Sequence, residues 1–458
     1  MGHPPILKKI TIQTNLDAMN SMGFHRVAFS EKEAGFSEKE EGMMVSRNIK
    51  ISLLLAGSMA VAGGAFAQGF ALQNQNGAGT GYAYAGAAAV AEDASTIYFN
   101  PAGMAYLPDG HHVSVALTLL DRSLKFNNNG SDRLSSYPLG DNGGQAGGQA
   151  LAPAGYWSMS VTPEWRVGLG VSPTFGSATE WSDTFIGRYQ GVSSEIKAIN
   201  ANPSVAWRAN DFFSLGLGLN VVKFEADLRG MVPVTALLPA TVDAKTKLSG
   251  SDTGYGYNLG AMFQLAPATR LGLTYRSKIG LQVKGHLEAP GQSVPAEVSV
   301  ELPDSASLAV SHMINERLQL LGDLTWTGWS SLPALVVKNQ VSGAVLSNEN
   351  IGFQDSYRLG LGVQYRYSDT LRLRAGIAYD QSAVHNAADR TVRLPDSDRT
   401  WLAFGFNHQI NKQTSVDAGY AHLFFDKAAI DRAKLTQVVR GSFDASVDVF
   451  SVQLNRHY

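Results

Sequence analysis

Between Tyr357 and Tyr367 the chain reads YRLGLGVQYRY. Tyr357, Leu359, Leu361, Val363, Tyr365 and Tyr367 alternate with Arg358, Gly360, Gly362, Gln364 and Arg366. Successive side chains of a β-strand point to opposite faces, so this two-residue period predicts a strand with one apolar and one polar face. LRLRAGIAYD (371–380), WRVGLGV, FSLGLGLNV and TGYGYNLGAMF repeat the pattern, which runs from about residue 111 to the end. A soluble β-sandwich gives the same local signal, so the connections must separate it from a membrane barrel.

Short links at Thr162-Pro163-Glu164, Ala209-Asn210-Asp211, Ala266-Pro267-Ala268, Ser368-Asp369-Thr370 and Asn411-Lys412-Gln413 alternate with long ones. The long ones fall near 122–150, 175–193, 230–245, 288–295, 328–352, 387–397 and 426–443. Short turns at one end and long loops at the other describe an outer-membrane barrel with both termini on the short-turn side. An Arg facing mid-bilayer lipid costs roughly 2–4 kcal/mol. The face carrying Arg358, Arg366, Arg372 and Arg374 is therefore assigned to the lumen, and the Leu/Val face to lipid. Tyr357, Trp326, Trp401 and Tyr420 suit interfacial girdles. The terminal VFSVQLNRHY puts Phe450, Val452, Leu454 and Tyr458 in one register.

Upstream, MMVSRNIKISLLLAGSMAVAGGAFA (43–67) has a basic start at Arg47 and Lys50, an apolar run from Ile51 to Ala62, and Ala65-Phe66-Ala67 as a cleavage signal. It is read as a signal peptide. Residues 1–42 precede it and contain the repeat AFSEKEAG/FSEKEEG. They are expected to be a leader read in frame, with translation beginning at Met43 or Met44; a cytoplasmic extension is the alternative.

Residues 68–110 lack the alternation and are dominated by Gly and Ala. Asn100 is a good N-cap and Pro101 is pre-set for a first helical position, so a helical turn is predicted there. Pro108-Asp109-Gly110 ends the segment in a turn. Irregular backbone at membrane depth is tolerated only inside protein or along a watery lumen, which predicts that this segment sits inside the barrel.

These features resemble the outer-membrane long-chain fatty-acid transporters and their aromatic-hydrocarbon relatives. The matching residues are Gly69-Phe70-Ala71-Leu72, Gly79-x-Gly81-x-Ala83-Tyr84-x-Gly86, Ala91-Glu92-Asp93-Ala94 and above all Asn100-Pro101-Ala102. TEWSDTFIGRYQGVSSEIKAINANPSVAW, DLTWTGWSSL and LPDSDRTWLAFGF extend the likeness over 68–458. The resemblance implies an all-β transmembrane barrel of fourteen antiparallel strands (111–458) with an N-terminal hatch (68–110) in its lumen. Segmentation at the connections above yields the same number. It further implies an outer groove formed by long loops, a deeper pocket touched by the mature N-terminus, and sideways release through a gap at a kinked third strand. That strand is WRVGLGVSPTFG, so Gly168, Gly170 and Pro173 mark the expected lateral opening; the alternative is that the glycines make room for the hatch.

Phe70 and Leu72 are the pocket candidates. Phe175, Trp181, Phe185, Arg188, Met231, Val234, Leu237 and Leu238 are the candidates for loop capture, because exposed apolar clusters usually mark interaction sites. The two loops packing on each other is the competing explanation, and Arg188 suits either a ligand carboxylate or a partner within its loop. Lumenal Asp323, Asp417, Arg208 and Arg276 are expected to form an internal charge network.

The formal net charge of −2 brings no basic block, so nothing points to nucleic acid. The chain has no cysteine, and its scattered histidines suggest no metal site or cofactor. No G-x-S-x-G or Walker motif occurs, and no enzyme is expected. The expected function is passive uptake of hydrophobic compounds, long-chain fatty acids first, by a monomer in contact with outer-membrane lipid and lipopolysaccharide. Aromatic or alkane hydrocarbons are the alternative cargo. A general porin or a surface receptor/adhesin barrel is the alternative of another class.

Overall fold

The computed structural model describes residues 71–133, 138–234, 242–434 and 437–458. The extension 1–42, the signal peptide, Phe70, Leu237 and Leu238 lie outside the described residues.

The alternating segments form fourteen wall strands. They are β1 (His111–Asn128), β2 (Gly148–Ser160), β3 (Trp165–Glu180), β4 (Ser193–Arg208), β5 (Phe213–Val234) and β6 (Val242–Ala266). Next come β7 (Thr269–Arg276, resuming at Ile279–Ala289), β8 (Gln292–Leu302, then Ser305–Met313), β9 (Leu318–Thr327, then Ala334–Asn339) and β10 (Val345–Asn350, then Ser356–Arg366). The circuit ends with β11 (Leu371–Asp380), β12 (Arg399–Asn411), β13 (Thr414–Phe425, then Ala428–Lys434) and β14 (Gln437–His457). Neighbours in sequence pair antiparallel, and β1 closes the barrel by pairing with β14 from His112↔His457 to Asn128↔Gly441. Closure leaves no free sheet edge, which is what a β-structure needs in lipid.

Strand ends differ from the sequence reading where hairpins climb beyond the barrel rim. The expected long connection at 288–295 is a two-residue turn: Ala289 pairs with Gln292, and Gly291 supplies the positive φ of +74°. The segment 328–352 contains the paired strands Ala334–Asn339 and Val345–Asn350.

The two faces separate by chemistry. Leu117, Leu359, Leu361, Phe404 and Val452 are exposed outside, whereas Arg358 and Arg374 are buried inside. Trp401 is a correction to the predicted girdle. It shares inward parity with Arg399 and Ala403, is completely buried, and donates its indole N–H to Asp380 Oδ2 at 2.7 Å. Without sheet register, a tryptophan seeking a polar partner looks alike in the two locations.

The amino-terminal segment 71–110 lies within the lumen as short helical turns at Gly77–Gly81, Ala87–Val90 and Thr96–Phe99, followed by a 3-10 turn at Pro101–Tyr106. Its small side chains are almost entirely buried against the inner wall.

Candidate functional site

Asn100 is the hub of the inner segment. Its extended backbone (φ −157°, ψ 102°) starts the 3-10 turn, and its side-chain oxygen accepts from Ala102 N at 3.1 Å. The amide nitrogen donates to Ala88 O at 2.8 Å within the segment and to Ala261 O at 3.1 Å on β6. One side chain thus caps a turn, ties two turns together and pins them to the wall. Pro101 occupies the position where no N–H is needed. Inward-facing Gly216 and Gly260 make this approach possible: a Cβ at either would collide with Pro101, Ala102 or the Asn100 amide.

Barrel side chains hold the rest of the segment by its backbone. Arg358 donates to Ala83 O, and Asp323 Oδ1 accepts Gly86 N at 3.1 Å. Arg270 donates to Val90 O at 2.9 Å. Glu92 receives Arg374 at 2.7 Å, and Arg374 also binds Asp417. Arg358 bridges Asp323 (3.0 Å) and Asp380 (3.1 Å), and Arg399 links Asp380 to Asp396. The expected internal charge network therefore includes Asp323 and Asp417, with Arg358, Arg374 and Arg399 as its cations. Arg208 lies outside it, paired with exposed Asp211 at a turn. The period-two pattern assigned these arginines to the lumen; their partners depend on three-dimensional register.

Beside the segment is a cavity of about 110 Å³. Ala71, Leu72, Phe99, Phe175 and Pro303 supply an apolar side, and Thr274, Ser305, Ser307, Thr325 and Thr327 a hydroxyl side. Its charged lining is Arg276, Arg358 and the carboxylate of Asp323. Arg358 is matched by two carboxylates, as above. Arg276 donates to Tyr98 O at 2.8 Å and to Asn220 Oδ1, and its guanidinium lies 4.6 Å from the Tyr98 ring centre. Among the described residues no carboxylate lies within ion-pair distance of it. The sequence marked Arg276 only as part of a charge network; its position against a cavity is a tertiary fact.

The third strand carries a break in the wall. Pairing of β2 with β3 runs from Ser160↔Arg166 to Gly155↔Val171 and stops. Further up β3 is held from that side by Glu180 N donating to Ala146 O at 3.1 Å, just before β2, and by the Arg122 side chain of β1 reaching Ala178 O at 2.7 Å. Between these points β3 keeps its ladder to β4 but has no pairing with β2. The partner of that stretch lies inside: Leu72 N donates to Thr174 O at 2.9 Å, Gln75 Nε2 to Pro173 O at 2.7 Å, and Ala71 bridges Phe175. Pro173 sits at the bulge in the β3–β4 register. Gly168 and Gly170 lie below it against the inner segment; a Cβ at Gly168 would come within 2.6 Å of Ile97 Cδ1 and 2.7 Å of Met104 Sδ.

Phe175, Trp181, Phe185, Arg188 and Met231 are buried. Trp181 and Phe185 stack with ring centres 4.4 Å apart, in one cluster with Phe126, Val392 and Phe443. Arg188 is held by Leu139 O (2.9 Å), Pro138 O (2.6 Å) and Asp243 Oδ2 (2.7 Å). Met231 packs with Tyr189 and Val192, and the backbone of Val234 pairs with Val242 at the tip of β5. Phe175 joins a separate interior cluster with Phe224, Leu281, Trp329 and Phe353, facing Ala71.

A closed fourteen-stranded antiparallel barrel with an apolar outer face and a filled lumen defines an outer-membrane transport barrel. Residues 58–458 match the family described as outer membrane protein transport protein (OMPP1/FadL/TodX), and the chain belongs to that family. It is 28% identical over 401 residues to the long-chain fatty acid transport protein of Escherichia coli strain K12, covering 78% of this chain and 88% of that one. The crystal structure of a FadL homologue of Pseudomonas aeruginosa superposes with a TM-score of 0.79 at 26% identity, covering 85% of this chain and 99% of that chain. The toluene transporter TodX of P. putida shares the fold, with a TM-score of 0.62 at 19% identity and coverage of 83% and 99%. The protein is thus an outer-membrane protein of the Gram-negative type.

Proposed function

We propose that this protein is a passive importer, not an enzyme, and that its cargo is long-chain fatty acids. The observation that carries the choice is Arg276: a cation lining a partly apolar cavity, with no carboxylate among the described residues within ion-pair distance of it, since the cavity's own carboxylate, Asp323, is paired with Arg358. Its partners are neutral, Tyr98 O and Asn220 Oδ1; a hydrocarbon adds no counter-charge, whereas a fatty acid brings a carboxylate. Burial of the acyl chain contributes roughly 0.8 kcal/mol per methylene. The E. coli relative named for fatty acid transport supports this cargo, and the toluene transporter keeps hydrocarbons as the second reading.

Binding sites for small molecules occupy roughly 300–1,000 Å³, so a cavity of about 110 Å³ must enlarge before it takes a long acyl chain. Residues 68–110 act as the hatch, and the stretch around Phe70 and Leu72 is its movable edge. A few hydrogen bonds to β3 hold that edge, whereas Asn100, Arg358 and Arg374 fix the remainder. Withdrawal of the edge enlarges the pocket and exposes the stretch of β3 that has no pairing with β2, through which cargo leaves sideways into the membrane. The long loops receive the cargo first. The barrel works as a monomer, with its outer face against lipid and lipopolysaccharide.

Uptake of radiolabelled oleate beside radiolabelled toluene, in a host lacking its own importer, tests this reading. Oleate uptake that falls at least about tenfold in Arg276→Met is expected, since a hydrogen bond to a charged group contributes roughly 1.5–3 kcal/mol. Toluene uptake without oleate uptake would move the protein to the hydrocarbon reading.

A further inference from the structure

A row of asparagines crosses the inner wall from the cavity to the break beside β3. It starts at Arg276 on β7, whose register partner on β6 is Asn258. Asn258 Oδ1 accepts from Asn220 on β5 at 3.2 Å and from Asn202 on β4 at 2.9 Å. Asn200, also on β4, donates to Asn220 Oδ1 at 2.8 Å. Across the next ladder Asn200 pairs with Ser172, one residue beyond Val171, where the β2–β3 pairing ends.

The four amides are 1–2% exposed, yet Asn200 Oδ1, Asn202 Oδ1 and Asn258 Nδ2 have no protein hydrogen-bond partner among the described residues. Buried polar atoms without partners are costly, and an apolar wall would be the simpler lining for a barrel that handles only hydrocarbon. Four neutral amides also hold no fixed charge. Asn258 Nδ2 and the second N–H of Asn200 and of Asn220 can donate to an anion without trapping it as an arginine would. Asn202, which donates to Leu219 O and Asn258 Oδ1, holds Asn258 in place.

We infer that Asn258, Asn220, Asn202 and Asn200 form a polar track that passes a carboxylate headgroup from Arg276 to the wall break at Ser172. The acyl tail moves beside it along the apolar side of the lumen. The free N–H groups of the row replace part of the hydration that a carboxylate loses on leaving water, so the headgroup crosses the wall without being stripped bare. This role rests on the fatty-acid reading of the cavity.

The test compares equilibrium oleate binding by the purified barrel with oleate import by cells, for wild type, N202A/N258A and N202S/N258S. Binding is expected to persist in both variants because Arg276 is intact. Import is expected to fall about tenfold in the alanine pair, the loss expected for one hydrogen bond to a charged group. The serine pair, which keeps donors in place, should lie between alanine and wild type. Wild-type import in both variants overturns the track. So does joint loss of binding and import in a barrel that still shows folded, heat-modifiable mobility, because the row would then belong to the capture site. Should the alanine pair fail to assemble, the serine pair decides alone: reduced import with intact binding supports the track, and undiminished import overturns it. A wild-type protein that neither binds nor imports oleate would instead remove the fatty-acid reading itself.

Discussion

Leu72 donates its backbone N–H to Thr174 O at 2.9 Å, so the start of the lumenal segment serves as the missing partner for β3 where β2 leaves it. A wall strand is thus completed from within, and moving the inner partner alters the wall and the cavity together.

Deletion of residues 70–76 removes this partner. Hydrophobic uptake is expected to fall while the barrel still assembles, because wall closure depends on β1 and β14. Uptake assays alongside heat-modifiable gel mobility check it; undiminished uptake would rule out a role for the segment in the pocket.

Asn100→Ala removes one cap and two wall or turn contacts at once. A lost N-cap costs about 1 kcal/mol and a buried unpaired group roughly 1–3 kcal/mol, enough to unseat a segment of short turns. Liposomes carrying the variant should swell faster in small sugars than those carrying wild type. Equal rates would count against Asn100 and Pro101 as the seat of the hatch.

Arg374→Met leaves Asp417 and Glu92 without their shared cation in a buried setting. Removing one partner of a buried pair costs about 3–5 kcal/mol. The temperature at which the folded gel band converts to the unfolded one should drop. An unchanged transition would mean that Asn407 and Asn455, which also donate to Asp417, suffice.

The loop around Phe185 is tied down through Asp141, which accepts from Thr184 Oγ1 at 2.6 Å and from Gly143 N at 2.7 Å. These bonds hold the Asp141 carboxyl below the usual carboxylate range. A depressed value means that the tie is complete above the ordinary carboxylate pKa of about 4 and is lost as pH falls through the lowered one. Proteolysis of the loop should therefore be constant through neutral pH and increase only in strong acid. Asp141→Asn should give the acid pattern at neutral pH; protection there would place the anchoring elsewhere, with Arg188 the first candidate.

Much of this architecture follows from period two alone. Alternation fixed the inward parity of Arg358 and Arg374, because an arginine toward lipid is too costly, and it fixed the outward parity of Leu359 and Leu361. Capping chemistry likewise placed a turn at Asn100-Pro101. Parity does not say what an inward group touches. Trp401 met Asp380 instead of an interface, Gly168 met Ile97, and Trp181 and Phe185 met each other.

The sequence by itself determined a barrel with a small-residue segment before it, since local periodicity and the cost of polar groups in lipid act on each strand separately. Only the tertiary structure decided that Leu72 completes β3, that Arg276 lines a cavity whose carboxylate, Asp323, is paired with Arg358, and that four asparagines from three strands form one row. Those relations depend on stagger between strands far apart in the chain, and stagger is set by closing the barrel around what fills it.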